Sequence, residues 1–457
     1  MMFKKNRLPC YLILISVAII LCLFIWLFTV IFEGERPIVS LDPRPDFLSK
    51  KQLFTIHAAD QKRGLKELKV VYNQGGTDVT LFEQKFPFQG LFNREGVRDF
   101  KKELDIDPSG LQLAQGRVDL EVRVWDYSRR KGGDGNMTVV QHTMTVDSIP
   151  PSIRAVSSMH NINIGGAGLV AYRASSDTIE SGVYVDDLFF RGFPAGAESK
   201  EGTYLAYFAL PYNSESDPSI RLLARDRAEN TASANFYYHI NLKQFDSENM
   251  NISDSFLRSI LPYFFDYKFN PDDSDIEKYL KINNDLRKMD DETIFKLAEN
   301  PAQEGYWEGS WVTLKNAATK ARYADHRTYY YNGKKIDEQY HLGVDLASLA
   351  NSPVEAGNSG KIIFAGKNGI YGLMVVIDHG QGIASLYGHL SGMEVAVGDM
   401  VKKGDIIGYT GQTGLAGGDH LHFSMLVHGV FVNPLEWMDQ HWIEDNITKK
   451  LDLIKQQ

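Results

Sequence analysis

Cysteine is almost absent from this chain. Cys10 and Cys22 are the only two, and both fall in an N-terminal apolar run. The rest of the chain can hold no disulfide framework, and no zinc site there can use thiolates. Any metal site must be built from His, Asp or Glu. Basic surplus is lacking too. The formal net charge is −9, which argues against DNA or RNA as the main partner, since those need a basic face. No HExxH occurs, so a helix-based zinc protease is not supported. No G-x-S-x-G occurs, so a serine-hydrolase elbow is missing. Gly165-Gly166-Ala167-Gly168 lacks the spacing of a dinucleotide loop and reads as a turn.

What is present is a globular composition, with 43% apolar and 23% charged residues over 457 positions, enough for about three domains. Leu8 to Phe32 carries no charge. About 20 residues span a bilayer core, so this run is long enough. Lys4, Lys5 and Arg7 precede it, and Glu33 and Glu35 follow it. The positive-inside rule then predicts a single pass through the inner (cytoplasmic) membrane, with a cytoplasmic N-terminus and a periplasmic or otherwise extracytoplasmic bulk. A cleaved signal peptide is the competing reading, but its apolar region is about 7–15 residues, shorter than this run. Ile20 and Leu21 before Cys22 offer no small residue for a lipoprotein cleavage site.

From Asp42 to Lys243 short alternating runs are separated by turn residues, which predicts strands. Val118, Leu120, Val122 and Val124 alternate and end at Asp126; Val140, His142, Met144 and Val146 follow. About 100 residues later Ile220, Leu222 and Ala224 alternate and end at Asp226, before Ala234, Phe236, Tyr238, Ile240 and Leu242. This recurrence predicts two sandwich-like modules, 42–147 and 150–243, of immunoglobulin-like or cadherin-like shape, joined at Pro150-Pro151. They read as spacers or as sites for protein partners. Residues 252–304 read as a helical spacer without chemistry of its own. Ser274-x-x-Glu277 is a capping-box pattern, and Asp290-Asp291 looks like a second helix start.

Eight of the twelve histidines lie between His326 and His441. In His420-Leu421-His422 the two rings share one face of a strand, with Cα atoms about 6.6 Å apart. One can bind metal while its neighbour meets substrate. His341 and Asp345 would sit about 13 Å apart on a straight strand. The chain should therefore bend between them, and Gly343 permits that. Two histidines and a carboxylate suit a catalytic zinc site, which keeps a position for water. His389, in Tyr387-Gly388-His389-Leu390, is the natural further proton carrier. Before these ligands come His326-Arg327 and Tyr329-Tyr330-Tyr331. They read either as an edge strand with surface tyrosines or as a groove wall, where Arg327 or a tyrosine contacts a peptide carboxylate or the tetrahedral intermediate.

The stretch from Tyr340 to Trp437 resembles the lysostaphin-type (LytM-like) zinc metallopeptidases. The matching residues are His341-Leu-Gly-Val-Asp345, Gly372 through His379-Gly380, Tyr387-Gly388-His389-Leu390, Val397 to Gly408, and Gly418-Asp419-His420-Leu421-His422-Phe423. The resemblance covers about a fifth of the chain. It implies a compact antiparallel β domain, placed at 305–440. It also implies one Zn2+ held by His341, Asp345 and His422, with His389 and His420 as catalytic, non-ligand histidines. Members cut peptide bonds in peptidoglycan stems or cross-bridges, so peptidoglycan peptides are the expected partners. Asp419 is a mild departure that leaves the ligands untouched. Val397 to Gly408 also resembles half of a biotinyl or lipoyl carrier hairpin, but without the carrier lysine motif.

The expected architecture is mostly β and multidomain: a cytoplasmic tail (1–8), a transmembrane helix (9–32), two β-sandwich modules, the helical spacer and the peptidase domain. The expected function is a membrane-anchored zinc endopeptidase acting through a zinc-activated water. The rivals are a non-catalytic activator or scaffold for other wall hydrolases, and an enzyme that its spacer keeps inactive.

Overall fold

The computed structural model describes residues 8–196, 200 and 202–455. Lys4, Lys5 and Arg7, with nearly all of the expected tail, lie outside the described residues. Leu8–Ile31 is one α-helix. From Cys10 to Ile31 it is long and apolar enough to cross a membrane, a test that a signal sequence also passes. The chain divides into two compact units at Pro150-Pro151, with Arg227–Asn230 grouped with the first.

In the N-terminal unit a three-stranded sheet (Ile38–Asp42, Gln52–Ala59, Asp99–Ile106) faces a five-stranded one. The strand Gly116–Asp126 is central to the larger sheet, between Leu65–Gln74 and Met137–Val146. Its alternation is literal: Val118, Leu120, Val122 and Val124 are buried while the residues between them are half-exposed. They meet Phe54, Ile56, Leu68 and Val70 in one core. Each such side chain removed from water contributes about 1.5–3 kcal/mol.

The C-terminal unit begins with two four-stranded sheets, Phe193–Pro194/Thr203–Ala209/Ala167–Ala174/Ile153–Ala155 and Leu188–Arg191/Thr178–Val185/Ile220–Asp226/Thr231–Asn235. The single run expected from Ala234 to Leu242 does not form. Thr231–Asn235 ends in the second of these sheets, and Tyr238–Asn241 leaves it to pair in parallel with His160–Asn163. Leu242 is exposed.

An eight-stranded sheet follows, whose central path runs Val344–Ala347, Leu421–Val427, Ile383–Leu390, Gly372–Gly380, Gly360–Asn368. All eight residues of Ile383–Leu390 are buried, because the sheet is covered on both faces. Successive residues of its strands divide between two cores. Val375, Ile377, Phe423 and Met425 pack with Leu169, Tyr207 and Trp437, whereas Met374, Val376, Leu386 and Leu426 pack with Leu257, Phe264 and Tyr279. His422, between Leu421 and Phe423, is thereby turned toward the second, helix-covered face.

The helices are Asp254–Ile260, Asp275–Lys281 and Arg287–Leu297, the last two joined without a break by a π segment, Ile282–Leu286. The capping box of Ser274 and Glu277 is formed. Asp290 and Asp291 do not start a helix. They sit inside one, and both reach across to the 3-10 turn Gly369–Tyr371, which joins two strands of the eight-stranded sheet. His326–Tyr331 is likewise not an edge strand: it lies between Ser247–Ile252 and Lys334–Tyr340, with Tyr329 buried.

Candidate metal centre

Antiparallel pairing of Val344–Ala347 with Leu421–Val427 sets Asp345 opposite His422. His341 lies just before that strand. Its amide donates to Asp325 O at 3.0 Å and its carbonyl accepts from Ala324 N at 2.7 Å. The chain bends at Gly343, as expected, and glycine serves a second purpose there. Its φ is not positive. A Cβ there would lie 2.6 Å from the His422 ring and 2.7 Å from Phe423 O, so only glycine lets this segment approach.

Three atoms converge. His341 Nε2 is 2.9 Å from Asp345 Oδ1 and 3.0 Å from His422 Nδ1, which is itself 3.0 Å from Asp345 Oδ1. All three residues are buried. The outer ring nitrogens decide the tautomers. His341 Nδ1 donates to Arg322 O at 2.9 Å. His422 Nε2 donates to Ser424 Oγ at 3.0 Å, and that hydroxyl donates to Leu342 O at 2.7 Å. With both rings neutral, the inner nitrogens are bare and three lone-pair atoms face one point. That arrangement fits a cation, and the spacing suits metal bonds of about 2.0–2.2 Å. Arg327 Nη2 donates to the other carboxylate oxygen, Asp345 Oδ2, at 3.2 Å. This is where the structure places Arg327: against a candidate ligand.

The other two expected histidines stand beside the triad. His389 ends the strand Ile383–Leu390 with φ 62°, and its ring lies 4.8 Å from that of His420 and 5.7 Å from that of His422. His389 Nδ1 donates to Thr413 O and His420 Nδ1 to Gly418 O, each at 2.8 Å. Both Nε2 atoms are left for chemistry, with that of His420 3.5 Å from Asp345 Oδ1. Asp419 holds the preceding loop: it accepts from Thr410 Oγ1 at 2.6 Å and from Asn351 N at 3.1 Å. His379 takes no part. It is buried between Ser359 O and Ser385 Oγ, both at 2.7 Å.

The electrostatics follow from burial and from one carboxylate among imidazoles. Burial works against the charge of Asp345, but the imidazoles, His341 foremost, hold its carboxyl well below the usual range. Burial lowers His422 to about 4. Burial, then His420 and His422, push His389 well below the ordinary histidine value. His420 differs. Burial lowers it, but the Asp345 carboxylate 3.5 Å from its Nε2 outweighs this and raises it. A bound cation would favour the same carboxylate anion and neutral ligand rings.

The centre opens into a cavity of about 170 Å3. Sequence reasoning found its histidines but missed the residues that close it. Tyr371 lies 5.5 Å from the His422 ring, and Phe256, Tyr279 and Arg287 come from the supposed spacer. Asp290 and Asp291 secure this contact, accepting from Ile370 N at 2.7 Å and from the Tyr371 hydroxyl at 2.9 Å. The spacer is thus part of the site wall. No local pattern announces it, because the contact spans about 80 residues of chain.

Residues 339–434 match the model of Peptidase family M23. Over 95 residues the chain is 42% identical to DD-carboxypeptidase/endopeptidase Mpg of Neisseria meningitidis serogroup B, covering 21% of this chain and 22% of that protein. Over 96 residues it is 35% identical to peptidoglycan DD-endopeptidase ShyA of Vibrio cholerae, covering 21% and 22%. The chain therefore spans about a fifth of the length of these curated relatives. Among solved structures, the catalytic domain of lysostaphin from Staphylococcus simulans is 33% identical, with 29% of this chain and 98% of that one covered at a TM-score of 0.25. The segment from Gln339 to Pro434, which carries the converging His341, Asp345 and His422, is a peptidase family M23 domain.

Proposed function

We propose that this protein is a membrane-anchored zinc metalloendopeptidase that hydrolyses peptide bonds in peptidoglycan stems or cross-links outside the cytoplasmic membrane. The observation that carries this reading is the triad of bare donor atoms about 3 Å apart, with two further histidines beside it. His341, Asp345 and His422 are the proposed ligands, and His389 and His420 the catalytic pair. The family match and the wall-directed names of the relatives support the substrate. The apolar Leu8–Ile31 helix supports the anchor, with the N-terminus inside and the six-part domain division drawn from the sequence.

Zinc at this triad would activate a water molecule and polarise the scissile carbonyl. The chain's own residues do the rest. Arg327 donates to Asp345 and keeps it ionised. Arg322 O and Ser424 fix the ring orientations of His341 and His422. With each Nδ1 donating to a backbone carbonyl, Nε2 of His420 and of His389 can take a proton from the attacking water and give one to the departing amine.

The test is mass-spectrometric identification of fragments released from isolated cell walls by the zinc-loaded protein. H389A and H420A should keep zinc and lose about 10²–10⁴-fold in rate. No release from walls of several chemistries would end the enzymatic reading. Cellular function that survives both H389A and H422A would establish the activator reading instead.

A further inference from the structure

Arg287 is the one cation lining the metal-centre cavity that is not committed to a carboxylate. The other, Arg327, is paired with Asp345. Arg287 is held rigidly from behind: Nε donates to Asn283 O at 3.1 Å and Nη2 to Asn283 Oδ1 at 2.7 Å. Asn283 is itself buried and donates to Asp337 Oδ2 at 2.7 Å. Nη1 has no partner among the described residues. Asp290 and Asp291 on the same helix make no hydrogen bond to it, accepting instead from Ile370 N and the Tyr371 hydroxyl, although its charge acts on both and favours their ionised forms. Arg287 and Leu342 also line a second cavity of about 540 Å3, so both residues border the two spaces. The wall of the metal-centre cavity is mixed, with Ile252, Phe256 and Ile370 among its apolar residues. A half-buried guanidinium with an unpaired N–H edge offers an incoming carboxylate a charge-assisted hydrogen bond.

We infer that Arg287 is a specificity-determining residue that reads a free carboxylate on the peptide substrate, close to the bond held at the metal centre. The inference rests on the hydrolase reading above. The carboxylate has two sources in a wall peptide: the C-terminal α-carboxylate, or an acidic side chain beside the scissile bond. Both present the same planar anion to the same fork of N–H groups. In either case the helical segment is part of substrate recognition, and the isolated M23 segment should discriminate poorly.

The experiment uses the full chain in detergent, loaded with zinc, and three synthetic pentapeptides ending in D-Ala-D-Ala: the free acid, its C-terminal amide, and the acid with its acidic side chain amidated. Wild type should favour the carboxylate-bearing peptide by about tenfold or more in kcat/KM, as one charge-assisted contact allows. R287Q should lose that preference to within about twofold, and R287K should restore part of it. Which amidated peptide loses the preference identifies the source. Equal loss for all three peptides in R287Q, with the preference retained, would mark Arg287 as merely structural and overturn the inference. Binding of the same peptides to H389A separates the two readings. An acid preference in binding without any hydrolysis would fail the hydrolase and keep Arg287. Hydrolysis by wild type with no acid preference would keep the hydrolase and fail Arg287.

Discussion

Two buried triads of potential ligands occur among the described residues, Glu33/Asp60/Asp126 in the N-terminal unit and His341/Asp345/His422 in the C-terminal one. In each the donor atoms lie within 4.8 Å of one another. They differ in what those atoms already do. In the first, Asp60 Oδ1 accepts from Arg63 N and Gly64 N at 2.7 and 2.6 Å. Asp126 Oδ1 accepts from Ser128 N and Asn136 N at 2.9 and 2.7 Å, and the Asn136 amide donates to Glu33 Oε1 and Asp126 Oδ2. These carboxylates satisfy loop N–H groups, and the buried Arg63 adds positive charge near them. In the second triad the outward nitrogens donate away to Arg322 O and Ser424, and the inward nitrogens of the neutral rings face one another and Asp345 Oδ1. Proximity is common to both clusters; uncommitted lone pairs belong to one.

The comparison can be broken or sharpened by experiment, beginning with the largest expected effect. H422A should bring zinc from about one ion per chain to none and wall hydrolysis to background, measured by metal analysis and fragment release. Retained zinc would remove His422 from the ligand set. S424A leaves the ligand but removes the acceptor of its outer N–H, and should weaken zinc about 10–100-fold in competition titrations with a chelator. In the N-terminal unit, D126A should orphan the amides of Ser128 and Asn136 at about 1–3 kcal/mol each in denaturant unfolding, with no protective effect of added calcium or zinc. A metal-dependent rise in the stability of wild type there would erase the contrast.

The smallest effect is a pH dependence away from both triads. Glu436 is buried against Asn163 Nδ2 at 2.5 Å and Ala167 N at 3.0 Å, and burial raises its carboxyl to about 7. Its folded value lies above the unfolded one near 4.5. The stability it contributes is therefore fully present below about pH 4.5 and is lost as pH rises toward 7. E436Q should flatten that part of the stability profile, as read by thermal unfolding at several pH values.

The strands of the N-terminal unit were legible because one covered face and one wet face impose period 2, as Val118 to Val124 show. The run from Ala234 to Leu242 has the same period, yet it changes sheets after Asn235. Periodicity reports a covered face and not which sheet covers it. The capping box at Ser274 was legible as a local event. Asp290-Asp291 misled for a related reason: acids favour helix starts, but here they accept from Ile370 and Tyr371 across the fold. His420 and His422 were readable from spacing, and His341, Asp345 and His389 from motif.

By itself the sequence determined the ligand chemistry, since without cysteine after residue 22 only imidazole and carboxylate donors remain. It also determined the alternation that buries one strand face, and an N-terminal helix that is long and apolar. The tertiary structure decided the rest. Strand pairing set Asp345 opposite His422, hydrogen bonds to Arg322 O and Ser424 chose the tautomers, and the helical segment brought Arg287 to the cavity. Those outcomes depend on contacts between residues far apart in the chain, where no local periodicity reaches and only the packed fold brings them within hydrogen-bond distance.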